Sequence, residues 1–259
     1  MFRRLRDLDV HVQIAGPQEA ELLLFLHSLD TNLHVRDAQA ESLSAHFRVV
    51  RPDLRGHGLT SVPAGPYSID EMARDALALL DELGVSQAHV AGLSIGGLIA
   101  QSLAVQAPAR VSSLILCDTA MVIPPAELWH QRAAIARREG LESLVEAVLS
   151  RWVTASFQGT PEAAGLRAML HRTAPDGYAG AAEAIAAADL TQSTSGLSVP
   201  TLILVGDQDL ATPVAAAEAM RDAIPGAQLK QLSGLAHIPT IEGLEAVTEA
   251  MRRFLLHRL

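Results

Sequence analysis

Cysteine and lysine each occur only once in the 259 residues, as Cys117 and Lys230. A single cysteine excludes an internal disulfide bond, which is usual for a protein of the cytoplasm. The formal net charge is −9, and no stripe or block of basic residues is present. Because nucleic-acid binding depends on such basic surfaces, the sequence predicts no nucleic-acid partner.

Long apolar runs are also missing. A membrane-spanning helix needs about 20 consecutive apolar residues, whereas the closest candidate, residues 90–105, is interrupted by glycines and polar residues. The basic first stretch, MFRRLRDLDVHVQIAG, has no apolar segment behind it and does not resemble a secretory signal. We therefore expect a soluble, cytoplasmic protein with no membrane partner.

The sequence also lacks the residue patterns that bind metal ions. No group of histidine, cysteine, aspartate and glutamate residues has the spacing of metal ligands. We expect no metal and no other cofactor, and a small molecule as the partner. The sequence does not decide the oligomeric state, and a homo-oligomer is one alternative.

Short apolar segments alternate with amphipathic ones along the chain. The segments typical of buried strands are residues 22–27, 47–50, 89–92, 113–117 and 201–205, and residues 227–232 are predicted as the last strand. Helical periodicity occupies residues 68–84, where Ser68 and Glu71 form a capping box, and residues 242–255. This alternation predicts an α/β fold with a mostly parallel central sheet that is covered by helices on both faces.

The strand pattern disappears between residues 119 and about 195. This stretch is rich in alanine and helical in pattern, with breaks at VIPP, FQGTP and APDGY. We therefore predict a core domain of residues 1–119 and 196–259, with a helical cap subdomain, residues 120–195, inserted between them.

The segment GLSIGG, residues 92–97, matches the pattern G-x-S-x-G between a predicted strand and a predicted helix. A sharp strand-to-helix turn needs small residues on both sides and exposes the serine hydroxyl at the carboxyl edge of the sheet. Ser94 is therefore a candidate nucleophile, beside the positive end of the following helix. The alternative is a glycine-rich turn that only allows close packing.

A serine nucleophile needs a base and an acid that orients it, and in proteins with this turn the chain order is Ser, Asp or Glu, His. Asp209 is the preferred acid, because a loop that leaves the predicted strand after residue 206 travels a few residues before it reaches the base. Asp207 and Asp118 are alternatives, with turn or loop capping as their other role. No metal is needed in this arrangement.

His237 is the preferred base, because it follows the last predicted strand and precedes the final helix. His57 is the rival, for which we expect a structural role, while His130 and His171 are expected to be solvated. When a serine attacks a carbonyl carbon, the carbonyl oxygen becomes negatively charged, and two backbone N–H groups usually stabilise this oxyanion. We assign these groups to Ile95, after the nucleophile, and to Leu29, after an early strand.

Several segments resemble bacterial 3-oxoadipate enol-lactonases, which are α/β-hydrolases with a Ser-His-Asp triad. They include FLHSLDTNLHVRD, GLSIGGLIAQSLA, RWVTASF, TAPDGYAGAAEAI and GDQDLATP, and the resemblance runs over nearly the whole chain. It implies the α/β-hydrolase fold, with the helical cap inserted after the sixth strand. It also implies hydrolysis of 3-oxoadipate enol-lactone to 3-oxoadipate, in the β-ketoadipate pathway of protocatechuate and catechol degradation. Asp30, where these enzymes more usually have glycine, and Arg36, where an aromatic is common, are departures that we expect near the pocket mouth.

The lactone that this resemblance implies carries a free carboxylate, although the protein is net negative. A local cation must receive it, and the candidates in the predicted cap are Arg132 and Arg151, with Trp129 and Trp152 as pocket walls. The alternative is that both arginines are solvated and Trp129 packs inside the cap.

Two other functions are compatible with the same residues. The first is a general carboxylesterase or a perhydrolase-like relative, which keeps the triad and changes the substrate. The second is a non-catalytic ligand receptor on the same fold, which the complete Ser94, Asp209 and His237 set disfavours.

Overall fold

The computed structural model describes residues 1–256 and is built around an eight-stranded sheet with the order β1-β2-β4-β3-β5-β6-β7-β8. The strands are β1 (Phe2–Leu5), β2 (Leu8–Ala15), β3 (Leu22–Leu26), β4 (Arg48–Pro52), β5 (Ala88–Leu93), β6 (Val111–Cys117), β7 (Thr201–Gly206) and β8 (Gln228–Leu232). From β4 to β8 in this order every pair is parallel, while β1 and β2 are antiparallel to their neighbours. The predicted mostly parallel sheet is confirmed.

The helices of the protein connect these strands. They are α1 (Asp37–Leu43), α2 (Ile69–Glu82), α3 (Ile95–Gln106), α4 (Ala126–Glu139), α5 (Val145–Trp152), α6 (Pro161–Arg172), α7 (Pro175–Ala187), α8 (Thr191–Thr194), α9 (Val214–Ala223), α10 (Pro239–Glu242) and α11 (Leu244–Leu256). Short 3₁₀ helices occupy Leu33–Arg36, Pro108–Arg110 and Glu142–Leu144. Within residues 1–256, none of these helices has the length and apolar character needed to traverse a membrane.

Alternate residues of each central strand point to opposite faces of the sheet, as the period of two requires. On β3, Leu24 belongs to the apolar cluster that includes side chains of α2, α3 and α9. Its neighbour Leu23 belongs to the other cluster, with side chains of α1 and α11. Helices therefore cover both faces, which explains why the central strands are almost uniformly apolar.

The first two strands, β1 and β2, are missing from the sequence-based prediction. β2 alternates buried and half-buried residues along LDVHVQIA, and it pairs in antiparallel fashion with β4, with Val12 opposite Pro52. Period-two alternation is the pattern of a half-buried strand. Residues 8–14 therefore carry a strand pattern, but it is weaker than the continuous apolar runs of the central strands.

Helix boundaries follow local capping. The Ser68 hydroxyl accepts a hydrogen bond from the Glu71 N–H at 3.1 Å, and α2 begins at the next residue, Ile69. The predicted helix 242–255 is instead divided, because α10 ends at Glu242 and Gly243 separates it from α11. The stretch between β6 and β7 contains α4–α8, which we call the inserted helices, and α4 packs against α7.

The turn from β5 into α3 brings three backbone segments together. Ser94 has the rare dihedral angles φ 56° and ψ −119°, a conformation that costs energy for a non-glycine residue. A Cβ atom at Gly92 would overlap the Gly96 carbonyl, and a Cβ atom at Gly96 would overlap the Leu26 carbonyl and lie 2.7 Å from that of His27. Neither glycine can carry a side chain without displacing the end of β3 or the turn itself.

This packing predicts that Gly96→Ala destabilises the protein by about 1–3 kcal/mol, because the added methyl group overpacks against rigid backbone. Urea unfolding followed by circular dichroism measures the change. Gly165 is the matched control, since it also lies in a helix and has open space around its Cβ position. Gly165→Ala should stabilise the protein by about 0.5–1 kcal/mol, and equal effects of the two substitutions would contradict the packing argument.

Candidate active site

A cavity lies at the carboxyl edge of the sheet, beneath the inserted helices. The cavity is narrow, with a volume of about 30 Å³. The residues predicted from the sequence that line it are Leu29, Ser94, Trp129, Arg132, Arg151, Trp152 and His237.

Ser94 enters this cavity from the turn between β5 and α3 and is 6% exposed. Its backbone is held from β6, because its N–H donates to the Cys117 carbonyl at 3.0 Å and its carbonyl accepts from the Thr119 hydroxyl at 2.7 Å. Ser94 is also the N-terminal cap residue of α3. The hydroxyl therefore stands beside the positive end of a buried helix.

His237 and Asp209 form a hydrogen-bonded pair. The distance between His237 Nδ1 and Asp209 Oδ2 is 2.8 Å, and the two residues are 3% and 4% exposed. Their loops are joined by a hydrogen bond from the Gln208 N–H to the Leu235 carbonyl at 2.9 Å. The histidine loop is also joined to α5, because the Ile238 N–H donates to the Trp152 carbonyl at 2.8 Å.

Asp209 is held as a carboxylate by several donors. The N–H groups of Ala211 and Thr212 donate to Oδ1 at 2.7 and 3.1 Å, and the Thr212 hydroxyl donates to Oδ2 at 2.6 Å. Burial opposes ionisation, but the charge of His237 and these hydrogen bonds outweigh it and lower the pKa of Asp209. A buried anion next to Nδ1 favours the tautomer that carries its proton there.

The two alternative acids take other roles. Asp207 is exposed and accepts hydrogen bonds from Ser233 and Gly234, in the loop after β8. Asp118 is buried and accepts from the Gly206 N–H at 2.8 Å, and burial raises its pKa well above the ordinary value. The structure therefore brings Asp209, rather than either alternative, to the imidazole of His237.

The other histidines considered as the base also lie away from the cavity lining. His57 is buried with its ring against His27 and its Nδ1 at 3.0 Å from the Arg55 carbonyl, and burial lowers its pKa to about 3. His130 and His171 are both exposed. His171 forms an ion pair with Glu142.

The two amides predicted to receive an oxyanion lie on adjacent segments. Ile95 is the first residue of α3, where a helix leaves its N–H without an intrahelical acceptor. Leu29 follows β3 and lines the cavity. The close approach of Gly96 to the Leu26 and His27 carbonyls places the end of β3 directly beside the start of α3.

The inserted helices supply the aromatic and cationic side of the cavity. The Arg132 guanidinium stacks over the Trp129 ring at 5.3 Å, and the Trp129 Nε1–H donates to the Ile123 carbonyl at 2.7 Å. Arg151 donates to the Leu210 carbonyl at 2.8 Å, and burial together with the charge of Arg132 lowers its pKa. Trp152 is buried at 6% exposure.

The sequence analysis assigns no role to Thr212 and Tyr178, and its predicted position for Arg36 is wrong. Thr212, which bonds to Asp209, and Tyr178, which lines the cavity, carry no recognisable sequence pattern. Asp30 lines the cavity, as expected for a residue near the pocket. The sequence also predicts Arg36 near the pocket mouth, but Arg36 is fully buried, with its guanidinium 5.3 Å from the Phe25 ring centre, and does not line the cavity.

Among residues 1–256, no three or more histidine, cysteine, aspartate or glutamate side chains are grouped so that they could hold a metal ion.

The family model for the alpha/beta hydrolase fold matches residues 21–244. The sequence is 34% identical to 3-oxoadipate enol-lactonase 2 of Acinetobacter baylyi over 255 residues, covering 96% of this chain and 95% of that protein.

Solved structures of an enol-lactonase and an esterase are also similar to this protein. An enol-lactonase from Burkholderia xenovorans LB400 superposes with a TM-score of 0.96 at 37% identity, covering 99% of this chain and 100% of that one. A thermophilic esterase from Thermogutta terrifontis, with malate bound, superposes with a TM-score of 0.92 at 33% identity, covering 96% and 94% of the two chains. The chain therefore belongs to the alpha/beta hydrolase family.

Proposed function

We propose that this protein is a serine hydrolase that opens the lactone ester of 3-oxoadipate enol-lactone and releases 3-oxoadipate, as a cytoplasmic enzyme of the β-ketoadipate pathway. The observation that carries the chemistry is that Ser94 shares one narrow cavity with the hydrogen-bonded pair of His237 and Asp209. The choice of substrate is supported by the similarity to two enol-lactonases over nearly the full chain.

In the proposed reaction the Ser94 oxygen attacks the lactone carbonyl while His237 takes the hydroxyl proton. Because Nδ1 of His237 is bonded to Asp209, Nε2 is the nitrogen that accepts this proton. Asp209 keeps the imidazole in the required tautomer and stabilises the cation that forms. The amides of Ile95 and Leu29 receive the negative charge that develops on the carbonyl oxygen.

Ring opening breaks the bond between the carbonyl carbon and the ring oxygen. The leaving group is an enolate, which is more stable than an alkoxide and needs less help from a general acid. The enolate takes up the proton that His237 holds, which returns the imidazole to its neutral form. His237 then removes a proton from water, the hydroxide attacks the acyl carbon, and the bond from the acyl carbon to the Ser94 oxygen breaks as Ser94 regains a proton from His237. Because the enol stays attached to the acyl group, its conversion to a ketone prevents reclosure and favours completion.

The substrate carboxylate needs a cation, and the cavity has two in Arg132 and Arg151. A guanidinium can bind a carboxylate with two parallel hydrogen bonds. We assign this role to Arg132, supported by the cation–π contact that holds its guanidinium over the Trp129 ring, with Trp129 and Trp152 as walls. Arg151 contributes positive charge while its guanidinium is bonded to the Leu210 carbonyl.

The domain division is part of this proposal. Residues 1–119 and 196–259 would form the hydrolase core, and residues 120–195 would form a cap over the cavity. Its support is that α4, α5 and α7 contribute cavity residues, while the Thr154 N–H donates to Glu242 at 3.0 Å, and Glu242 also accepts from the Ala236 N–H at 2.9 Å. Glu242 thus connects the inserted helices to the loop that carries His237.

The esterase similarity supports a second candidate, a general carboxylesterase. The two are separated by kcat/KM for 3-oxoadipate enol-lactone and for p-nitrophenyl acetate, and we expect the lactone to be the better substrate. Ser94→Ala should lower kcat for both substrates by at least about 10⁴-fold, because it removes the nucleophile. A preference for the acetate ester would favour the carboxylesterase, and unchanged activity of the Ser94 variant would exclude both.

The identity of the acid is tested with two matched substitutions. Asp209→Asn should lower kcat by about 10⁴-fold, because an amide favours the wrong imidazole tautomer. Asp118→Asn should change kcat by no more than about tenfold, or about 1.4 kcal/mol of barrier, because Asp118 bonds to the Gly206 N–H and not to the imidazole. A larger loss for Asp118→Asn than for Asp209→Asn would reverse the assignment.

The role of Arg132 predicts an effect on binding that depends on substrate charge. Arg132→Met should raise KM for the enol-lactone about 10- to 100-fold, the value of a charge-assisted hydrogen bond, and should leave KM for p-nitrophenyl acetate nearly unchanged. Arg138→Met is the control, since Arg138 is exposed on the same helix and pairs with Glu139. Equal losses on both substrates would show that Arg132 only maintains the fold.

A further inference from the structure

Asp30 is a buried acid in the cavity that the reaction proposed above does not use. It follows Leu29 in the loop after β3, is 1% exposed and lines the same cavity as Ser94. Within residues 1–256, neither of its carboxyl oxygens has a hydrogen-bond partner. Its φ is 64°, a left-handed conformation that aspartate, asparagine and glycine tolerate better than other residues.

The surroundings of Asp30 are polar, and they converge from several elements. Arg132 on α4 and Tyr178 on α7 line the same cavity, and the Tyr178 hydroxyl is also buried without a partner in the described chain. The Thr173 hydroxyl lies 3.4 Å from the backbone carbonyl of Asp30. The other titratable groups at the cavity are Arg151, on α5, and His237, in the loop after β8.

Leaving two polar side chains unpaired in a buried site costs free energy, of the order of a few kcal/mol for each neutral group and more for a charge. The presence of two such side chains in one cavity is explained if a bound ligand supplies their hydrogen-bond partners. The ligand group must accept hydrogen bonds from Arg132 and Tyr178, so it is anionic or strongly polar. It must also be compatible with a carboxyl group next to it.

We propose that protonated Asp30 is a specificity-determining residue that donates its proton in a hydrogen bond to a carboxylate of the ligand, which Arg132 and Tyr178 bind at the same time. The inference rests on the proposed function for the identity of the substrate, but the binding it describes does not require turnover. The proton stays on Asp30 in the bound state, and no covalent bond is made or broken. The cavity would therefore select small acids over neutral esters of the same size.

The protonation state of Asp30 is consistent with this role. Burial raises its pKa to about 8, although the Thr173 hydroxyl and the Arg132 charge oppose the increase. At neutral pH the carboxyl group is therefore mostly uncharged and can donate. Burial also raises the pKa of Tyr178, so this hydroxyl keeps its proton as well.

The affinity for a ligand carboxylate should depend on pH, because binding is linked to the protonation of Asp30. A ligand carboxylate binds the protonated form of Asp30 and is repelled by the ionised form, which would instead attract Arg132. Bound ligand must therefore raise the pKa of Asp30 further, and affinity is fully present below the pKa of the free protein and lost above it. Above about pH 8, each bound anion takes up close to one proton.

The test uses Ser94→Ala protein and adipate, a dicarboxylate that stays fully ionised across the range, with binding measured by titration calorimetry. The dissociation constant should be flat from about pH 6.5 to 8 and then rise about tenfold per pH unit. Measurements in buffers of different ionisation enthalpy should show proton uptake above pH 8. Asp30→Asn in the same background should bind at neutral pH with a flat profile and no proton uptake.

Two further variants keep the result interpretable. Asp30→Gly also fits the positive φ and should give a flat profile with weaker binding, since it removes the donor. Asp176→Asn is the control, because Asp176 is exposed on α7 and should keep the wild-type profile. The neutral 1,6-hexanediol should bind no more tightly at pH 7 than at pH 9.

The inference is overturned if adipate does not bind at neutral pH, or if the Asp30 variants keep the wild-type pH dependence. These outcomes are distinct from failure of the proposed function. If wild-type protein does not hydrolyse the enol-lactone while the adipate profile follows Asp30, the carboxylate site stands and the assigned substrate is wrong. If hydrolysis is efficient and adipate binding is insensitive to Asp30, the reaction stands and the role of Asp30 is rejected.

Discussion

The contact between the start of α3 and the end of β3 is the constraint on which the rest of the site depends. Backbone meets backbone there, with Gly92 and Gly96 leaving no room for a Cβ atom. This contact forces Ser94 into its strained conformation and sets its side chain at the edge of the sheet. The same contact brings the segment with Leu29 beside the first free amide of α3, so nucleophile and proposed oxyanion donors are positioned together.

The parallel sheet then delivers the remaining groups to one place. Loops that follow neighbouring parallel strands emerge at the same edge, and those after β7 and β8 carry Asp209 and His237. The bond from Gln208 to the Leu235 carbonyl joins these loops, and the bond from Ile238 to Trp152 joins them to α5. Main-chain hydrogen bonds, which no single side-chain change removes, therefore support the imidazole on both sides.

The sequence predicts those parts of the fold and site that depend on local patterns. The central strands are continuous apolar runs, and the serine turn has a glycine pattern that follows from its geometry. The preference for Asp209 over Asp207 rests on loop length, and the structure pairs Asp209 with the imidazole. β1 and β2 were missed because their alternation is short and only half-buried.

Other features depend on contacts between residues far apart in the sequence, which one sequence does not reveal. Arg36 was expected near the pocket but packs on Phe25 in the interior. Tyr178 reaches the cavity because α7 packs against α4, and its own neighbours in the sequence do not indicate this. The burial of Asp30 likewise depends on the inserted helices. Its raised pKa therefore cannot be predicted from its position after Leu29 alone.

The charge of the cavity differs from the charge of the protein. The chain carries a formal net charge of −9, so its overall field disfavours the approach of an anion. Inside the cavity, Arg132 and Arg151 are cationic, and burial keeps Asp30 mostly uncharged near neutral pH. Since Leu29 and Asp30 are consecutive, one short loop would bind the oxyanion through its backbone and the remote carboxylate through a side chain. A shift of this loop would therefore alter catalysis and recognition together, and this coupling favours a substrate whose carboxylate and ester lie a fixed, short distance apart.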